Sequence, residues 1–237
     1  MVIRTDGAVV EGIDLTGTIF VAANNVTIRN VRLRWPAGAI AGPGDYAMIA
    51  LDRNHSGLQV EDCDISGGGE VYKAVSAWSV AVRRCNLHDI GHGVETGTNF
   101  VVEDNWIHDT TDGGKGWHVD GVIVSAGSNG VIRHNRIVLN DAGTTATVGL
   151  WAELGPVSNI LVENNLLAGG SYSIYATSVT DPMTGVRFLN NRLSTVMHPR
   201  VGLWGIWYPK LATDLIRTGN VIHETGQNAD TEPNWLS

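Results

Sequence analysis

The chain has 237 residues, of which 43% are hydrophobic and 17% are charged, and its formal net charge at pH 7 is −8. Its three lysines, Lys73, Lys115 and Lys210, form no basic stripe, so we expect no nucleic-acid partner and no attraction to an acidic membrane surface. No apolar stretch is long enough to insert through a bilayer, and the 29 glycines favour a turn-rich β fold over a helical or disordered chain.

The first residues carry no secretory pattern. Met1 is followed by VIRTDG rather than by a basic segment and an apolar core. We therefore expect either that a signal peptide has been removed or that the protein reaches its site of action without one, as a virion component released by lysis would.

One residue pattern recurs from the first coil almost to the end of the chain. Apolar and polar residues alternate in each copy, then an Asn, a Cys or a small aliphatic residue follows, and an aliphatic residue closes the copy. The spacing of roughly 18 to 32 residues is typical of solenoids. The copies are VVEGIDL (9–15), VTIRNVRL (26–33), LQVEDCDI (58–65), VAVRRCNL (80–87), FVVEDNWI (100–107), GVIRHNRI (130–137), ILVENNLL (160–167) and VRFLNNRL (186–193).

This alternation predicts short strands with one buried and one exposed face. Tandem short strands become stable only when successive copies stack, and stacking in register requires parallel strands. One position of the pattern would then form a column of identical side chains, with its amides hydrogen-bonded as a ladder. The column consists of Cys63, Cys85, Asn105, Asn135, Asn165, Asn191 and Asn220. We expect its two cysteines to be stacked buried thiols.

The Asn-x-[Leu/Ile] steps and phrases such as VTIRNVRL resemble the right-handed parallel β-helix repeats of the pectate-lyase-like superfamily, over roughly residues 8 to 222. The resemblance implies an all-β fold, a single-stranded right-handed parallel β-helix of about eight to nine coils. We expect one domain over residues 1–237, with 1–15 as the N-terminal cap or first coil and 223–237 as a C-terminal tail. The superfamily includes polysaccharide lyases, glycoside hydrolases, esterases, epimerases and phage tail proteins, so the resemblance does not select an activity.

A second strand lies between successive copies. Aligning these segments on one aliphatic position predicts an inward column of Ile49, Val75, Val94, Val122, Leu150, Ile174 and Ile206. The next residues then face outward, and they are Ala50, Ser76, Glu95, Ile123, Trp151, Tyr175 and Trp207. A further set precedes the column and reaches the outer face only if the chain bends there. It consists of Lys73, His92, Asp120, Tyr172 and Trp204.

This face is rich in aromatic residues and carboxylates. Aromatic rings stack on the apolar faces of sugars and carboxylates accept hydrogen bonds from sugar hydroxyls, so the pattern predicts a polysaccharide partner. The alternative is that several aromatic residues pack under loops or at a subunit contact. The predicted substrate-binding residues are Lys73, His92, Trp151, Tyr172, Tyr175, Trp204 and Trp207.

The catalytic candidates are Glu95, Asp120, Glu153 and His118. Glycoside hydrolysis needs one protonated and one ionised carboxyl, about 5 to 9.5 Å apart, and neighbouring coils supply separations of that order. Asp109 and Asp112 lie in the turn-like run HDTTDGG and are better explained as turn residues. The spacing of His92, Glu95, His118 and Asp120 matches no closed zinc motif, so no metal and no cofactor are predicted.

Two alternatives to hydrolysis remain. In the superfamily, polysaccharide lyases typically use a Lys or Arg base with calcium, so calcium is expected only if the protein is a lyase. A rigid solenoid also suits a non-catalytic virion protein, a tail spike or a capsid decoration, with a homotrimer or virion neighbours as its partners. A phage tail protein, whether it cleaves a glycan as a depolymerase or only binds one, would be located in the virion, and otherwise we expect an extracellular protein.

Overall fold

The computed structural model describes residues 1–42, 44, 46–140 and 144–232. None of these residues forms a helix that would cross a membrane, and the regular structure they contain is β-strand. In chain order the strands are β1 (Val2–Ile3), β2 (Val9–Glu11), β3 (Asp14–Thr16), β4 (Ile19–Val21), β5 (Thr27–Arg29), β6 (Arg32–Arg34), β7 (Ala47–Leu51), β8 (Leu58–Glu61), β9 (Asp64–Ser66), β10 (Lys73–Ser76), β11 (Val80–Arg83), β12 (Asn86–His88), β13 (His92–Thr96), β14 (Phe100–Glu103), β15 (Trp106–His108), β16 (Val119–Val124), β17 (Gly127–Arg133), β18 (Arg136–Val138), β19 (Thr144–Ala152), β20 (Val157–Glu163), β21 (Leu166–Ala168), β22 (Tyr172–Ser178), β23 (Met183–Thr184), β24 (Val186–Leu189), β25 (Arg192–Leu193), β26 (Gly205–Trp207), β27 (Leu215–Thr218) and β28 (Val221–Ile222).

The strands form three parallel sheets that run the length of the molecule. The first sheet has the order β1-β4-β7-β10-β13-β16-β19-β22-β26, and the second runs β2-β5-β8-β11-β14-β17-β20-β24-β27 with β23 paired to β20. The third sheet runs β3-β6-β9-β12-β15-β18-β21-β25-β28. Each coil contributes a strand to each sheet, so the described chain makes nine coils. The predicted parallel β-helix and its coil number are therefore confirmed.

Alternation builds the core between the sheets. In β8, Leu58 and Val60 are buried while Gln59 between them is exposed, and in β11 the half-buried Ala81 lies between buried Val80 and Val82. The residue before the ladder position takes a left-handed backbone conformation, with φ between 53° and 59° at Asp62, Arg84, Asp104, His134, Asn164 and Asn190. Asn and Asp tolerate this conformation better than other side chains. This single residue turns the chain from the second sheet to the third.

The predicted amide ladder is present and continuous. Asn105 donates from Nδ2 to Oδ1 of Asn135 at 2.9 Å, and Asn135 donates in the same way to Asn165 at 3.0 Å. The ladder continues through Asn191 to Asn220, whose Nδ2 and backbone N–H both donate to Oδ1 of Asp230. The C-terminal segment therefore supplies the acceptor that completes the ladder.

Cys63 and Cys85 occupy the first coils of the ladder as free, buried thiols, as predicted. We expect neither thiol to react with Ellman's reagent in the native protein, because the reagent must reach a thiolate that the stacked coils cover. Both thiols should react after denaturation in guanidinium chloride. A thiol titrated within minutes in native buffer would contradict the burial.

The inward column of the first sheet follows the prediction through Ile49, Val75, Val94 and Val122. It then departs at two positions, because Val122 pairs with Val148 rather than Leu150. Ile174 pairs with Trp207 rather than Ile206. The predicted place of Leu150 in the inward column was therefore wrong, and so was the predicted outward position of Trp207.

The C-terminal segment packs over the last coil. Oε1 of Glu232 accepts a hydrogen bond from the backbone N–H of Ile206 at 2.7 Å, and the carbonyl of buried Ala229 accepts one from Nε1 of Trp207 at 2.8 Å. Residues 233–237 of the predicted tail lie outside the described residues.

Candidate functional site

Two adjoining hollows lie on the outer face of the first sheet. The central cleft has a volume of about 480 Å³ and is lined by Tyr72, His92, His118, Asp120, Ile123, Thr145, Trp151, Glu153, Tyr175 and Tyr208. The side pocket has a volume of about 240 Å³ and is lined by Tyr46, Leu51, Arg53, Lys73, Ser76, Ala77, Trp78, Glu95, Thr96, Ser125 and Leu154. Oγ of Ser125 in the side pocket donates to Oε1 of Glu153 in the cleft at 3.0 Å, so the two hollows are contiguous.

A bend in the backbone brings Asp120 and His92 to this face. A Cβ on Gly121 would lie 2.4 Å from Cγ2 of Ile137, and a Cβ on Gly93 would lie 2.8 Å from Ile107, so both glycines occupy inward positions. The next residues in the chain also point inward, and two successive inward positions break the alternation. The residues before the glycines, His92 and Asp120, therefore face the cleft. The chain bends at these positions, as it must for these side chains to reach the outer face.

Asp120 is a buried carboxyl with an unsatisfied atom. Its side chain is 1% exposed, and among the described residues no group hydrogen-bonds its Oδ1. Burial raises the pKa of Asp120 to about 8, and the negative charge of Glu153 adds to this effect, while the Ala146 N–H opposes it. This burial therefore favours the protonated form of the Asp120 carboxyl at neutral pH.

His92 beside it is uncharged. Burial lowers the pKa of His92 to about 3, and the positive charge of Lys73 adds to this effect. Nδ1 of His92 accepts the backbone N–H of Asp120 at 3.1 Å, so the proton of the neutral imidazole lies on Nε2. The ring of Tyr72 covers His92 at 4.3 Å between centroids. His92 thus holds Asp120 in place without neutralising it through an ion pair.

These two shifts predict how stability depends on pH. The folded pKa of Asp120 is raised from 3.8 to about 8, so its contribution falls as pH rises through this range. The folded pKa of His92 is lowered from 6.5 to about 3, so its contribution is lost as pH falls below 6.5. The two effects oppose each other between about pH 4 and 6.5. Only Asp120 acts between pH 6.5 and 8.

We therefore expect the free energy of unfolding to fall by about 2 kcal/mol between pH 6.5 and 8, since one pKa unit corresponds to about 1.4 kcal/mol. Urea unfolding at the two pH values would measure this change. Asp120→Asn cannot ionise, so it should lose the decrease. An equal decrease in the wild type and in Asp120→Asn would show that Asp120 is not protonated in the folded state.

Two further carboxylates flank Asp120. Glu153 lies in the turn after β19, where it is exposed at the mouth of the cleft and receives the Ser125 hydroxyl. Glu95 lies in the side pocket, where Nζ of Lys73 and Oγ of Ser76 each donate to its Oε2 at 2.7 Å. Burial opposes the ionisation of Glu95, but the contacts with Lys73 and Ser76 and the nearby His92 together outweigh it, so the pKa of Glu95 lies below its usual value. Glu153 is thus the carboxylate that shares the cleft with Asp120.

Aromatic rings form one wall of the cleft. Trp151 contacts Tyr175 at 4.4 Å between centroids, and Tyr175 stacks on Tyr208 at 4.5 Å. Trp151 lies on the predicted face but does not stack directly on Tyr175 in the sheet register. Tyr175 pairs with Gly149, and Trp151 pairs with Thr177. Its indole extends over Gly149, where a Cβ would lie 2.5 Å from Nε1.

The structure separates the remaining predicted residues. Tyr172 packs edge-on against Tyr175 without lining the cleft, and exposed His118 lines it. Trp204 is 60% exposed but does not line either hollow. Trp207 is in the core, 4% exposed, with its ring against Phe188. The prediction of Trp207 as a binding residue was wrong because its coil is shifted by one residue.

Two aromatic residues that line the cleft, Tyr72 and Tyr208, were not among the predicted substrate-binding residues. A signal for Tyr72 was available, since Tyr46 and Tyr72 immediately precede the paired residues Ala47 and Lys73 in consecutive coils. Tyr208 follows Trp207, and its backbone N–H bonds to the carbonyl of Ile174, which places it next to Tyr175. Its position depends on the shift in the last coil.

Asp112 behaves as the turn residue that the sequence predicted. Its carboxylate accepts the backbone N–H groups of Gly114 and Gly116. A separate group of metal-ligand side chains within the described ranges is formed by Glu103, Asp104 and His134. Arg133 already forms an ion pair with Glu103 at 2.7 Å, so we assign no metal to this group.

Comparison with known proteins agrees with this architecture. The Dettilon tailspike protein (gp208) has a similar structure, with a TM-score of 0.52 and 11% sequence identity over 94% of this chain. The aligned region covers 52% of the tailspike chain, so this protein spans about half its length. A search of curated proteins finds no match. The family model described as "Right handed beta helix region" matches residues 6–204. The chain therefore belongs to the right-handed β-helix family.

Proposed function

We propose that this protein binds a polysaccharide along the outer face of the first sheet and hydrolyses one of its glycosidic bonds. The observation that carries the proposal is the burial of Asp120 in an aromatic-lined cleft, where its raised pKa favours the protonated carboxyl at neutral pH. A carboxyl with a raised pKa beside an ionised carboxylate is the arrangement that glycoside hydrolysis requires.

The two carboxyl groups take different roles. Asp120 donates its proton to the glycosidic oxygen as the bond to the anomeric carbon breaks, and Glu153 acts on the anomeric carbon or on the attacking water. If Glu153 activates water directly, the product is inverted, whereas attack by Glu153 itself gives retention. NMR of the first product formed distinguishes the two.

The surrounding residues suit a neutral glycan chain in the cleft. The half-buried rings of Trp151 and Tyr208, packed against buried Tyr175, offer apolar surface for sugar faces, while exposed His118 and Glu153 offer polar contacts at the rim. Sites that bind small ligands commonly combine such apolar walls with a few polar groups. Binding and catalysis would thus use the same face.

Elimination receives less support from the geometry. A lyase needs a free base, and the Lys73 ammonium forms an ion pair with Glu95 at 2.7 Å. The protonated Asp120 next to it also serves acid catalysis better than removal of a proton from carbon. We therefore place hydrolysis first.

The likeness to a tailspike supports a virion location for this activity. With 11% sequence identity and about half of the tailspike chain covered, the likeness concerns only the fold. The origin of this protein in a phage tail is therefore part of the proposal. A β-helix of this kind would act outside the cell, at the host surface glycan. Trimer formation and virion neighbours remain predictions.

Product analysis tests the proposal. The protein is incubated with a panel of bacterial and plant polysaccharides, and products are identified by mass spectrometry while absorbance at the ultraviolet band of unsaturated uronates is followed. We expect saturated oligosaccharides that Glu153→Gln no longer produces. Unsaturated ends that disappear with EDTA would identify a calcium-dependent lyase, and intact polymer that co-sediments with the protein would identify a binding protein.

A further inference from the structure

The side pocket next to the cleft contains a sugar-stacking surface. Trp78 is 49% exposed, and a Cβ on Gly97 would lie 2.7 Å from its indole ring. One face of the indole is therefore packed on Gly97 while the rest of the ring is open. Tyr46, 44% exposed, is a second aromatic residue of the same pocket.

The same pocket contains an unpaired cation. The Arg53 side chain is exposed, and no described residue accepts a hydrogen bond or an ion pair from its guanidinium. The two other charged groups of the pocket neutralise each other, because Lys73 and Glu95 form the ion pair described above. Arg53 thus leaves the pocket lining with a net charge of about +1, whereas the cleft beside it contains the Glu153 carboxylate.

We propose that the side pocket is a subsite for an acidic sugar, whose ring stacks on Trp78 and whose carboxylate pairs with Arg53. The guanidinium fork matches a carboxylate with two parallel hydrogen bonds. The inference rests on the proposed glycan function and deepens it, since it assigns an anionic residue to the position next to the cleaved bond.

Neighbouring contacts show that this subsite adjoins the cleft. Nζ of Lys73 lies 5.5 Å from the ring centre of Tyr46 in the pocket and 5.4 Å from that of Tyr72 in the cleft. Ser125 and Glu153 join the two hollows on the other side. A glycan lying along the sheet would therefore cross both hollows.

The test measures binding rather than cleavage. Asp120→Asn protein, which lacks the proposed acid, is applied to a microarray of microbial polysaccharides, with each acidic ligand also printed after chemical reduction of its carboxyl groups. Sulfated and phosphorylated glycans on the same array distinguish other anions from carboxylates. Arg53→Gln and Trp78→Ala are introduced into this background, with Arg4→Gln as the matched control at an arginine outside both hollows.

We expect the bound glycans to contain uronic acids, with at least tenfold weaker binding after carboxyl reduction. Arg53→Gln should weaken binding of the acidic form tenfold or more and leave the reduced form within twofold, Trp78→Ala should weaken both, and Arg4→Gln neither. Bound glycans that are neutral, or that Arg53→Gln binds normally, would overturn this inference and leave the proposed function intact. Preference for sulfate or phosphate esters would overturn the carboxylate assignment, and absence of any bound glycan would overturn both proposals.

Discussion

Replacing Asp120 with Asn is expected to lower the rate of glycan hydrolysis by about 10³-fold, because general acid catalysis contributes about 10² to 10⁴. Asn has nearly the same shape as the protonated carboxyl and is also uncharged, so the cleft should keep its form. Glycan affinity should stay within about twofold of the wild type. The loss should thus appear in kcat rather than in KM.

The pH profile of the wild type gives an independent readout. Its hydrolysis rate should fall as pH rises above about 8, where Asp120 loses its proton. Asp109→Asn is the matched control, since its carboxylate bonds to the adjacent His108 ring outside the cleft. A wild-type rate in Asp120→Asn would remove this residue from the mechanism, while equal losses in both variants would indicate a general effect of the substitution.

Asn135→Ala is expected to destabilise the folded protein by about 4 kcal/mol, because each buried polar group left without a partner costs about 1 to 3 kcal/mol. Asn135 sits in the middle of the ladder and is 2% exposed. Its Oδ1 accepts from the backbone N–H and the side-chain amide of Asn105, and its Nδ2 donates to Val102 and Asn165. Truncation of Asn135 removes the hydrogen-bond partners of polar groups on both neighbouring coils. Urea unfolding would measure the loss.

An exposed stack of asparagines provides the control. Nδ2 of Asn159 donates to Asn129 at 2.8 Å, and Asn129 donates to Asn99 at 3.2 Å, all on the surface. Asn129 has a φ of 59°, so glycine is the substitution that preserves its backbone. Asn129→Gly should cost about 1 kcal/mol or less, because water replaces the lost bonds. Equal losses at the two positions would show that burial is not what gives the ladder its energy.

The fold could be predicted from the sequence because its information is local and repeated. Alternation assigned the inward residues, and identical side chains at one position implied stacking in parallel register. The ladder from Cys63 to Asn220 followed from that register alone, since neighbouring coils must place equivalent residues above one another. Each prediction of this kind depended on one coil and its copy.

The strand register of Trp151 and the burial of Trp207 could not be predicted in this way. The segment TVGLWAE offers Val148 and Leu150 as equivalent inward residues, and both are buried, so alternation cannot choose between them. The choice depends on a register shift between Val119 and Asp120. In the last coil the choice depends on residues of the C-terminal segment that bond to Ile206 and Trp207.

The sequence by itself determined the parallel β-helix and the ladder, and it named Asp120, Glu153, Trp151 and Tyr175, which line one cleft. Only the tertiary structure decided which carboxyl keeps its proton. Glu95, Asp120 and Glu153 are alike as residue types, but Lys73 and Ser76 hold Glu95 ionised, Glu153 is exposed, and burial raises the pKa of Asp120 to about 8. Desolvation depends on every neighbouring coil at once, and no single repeat encodes it.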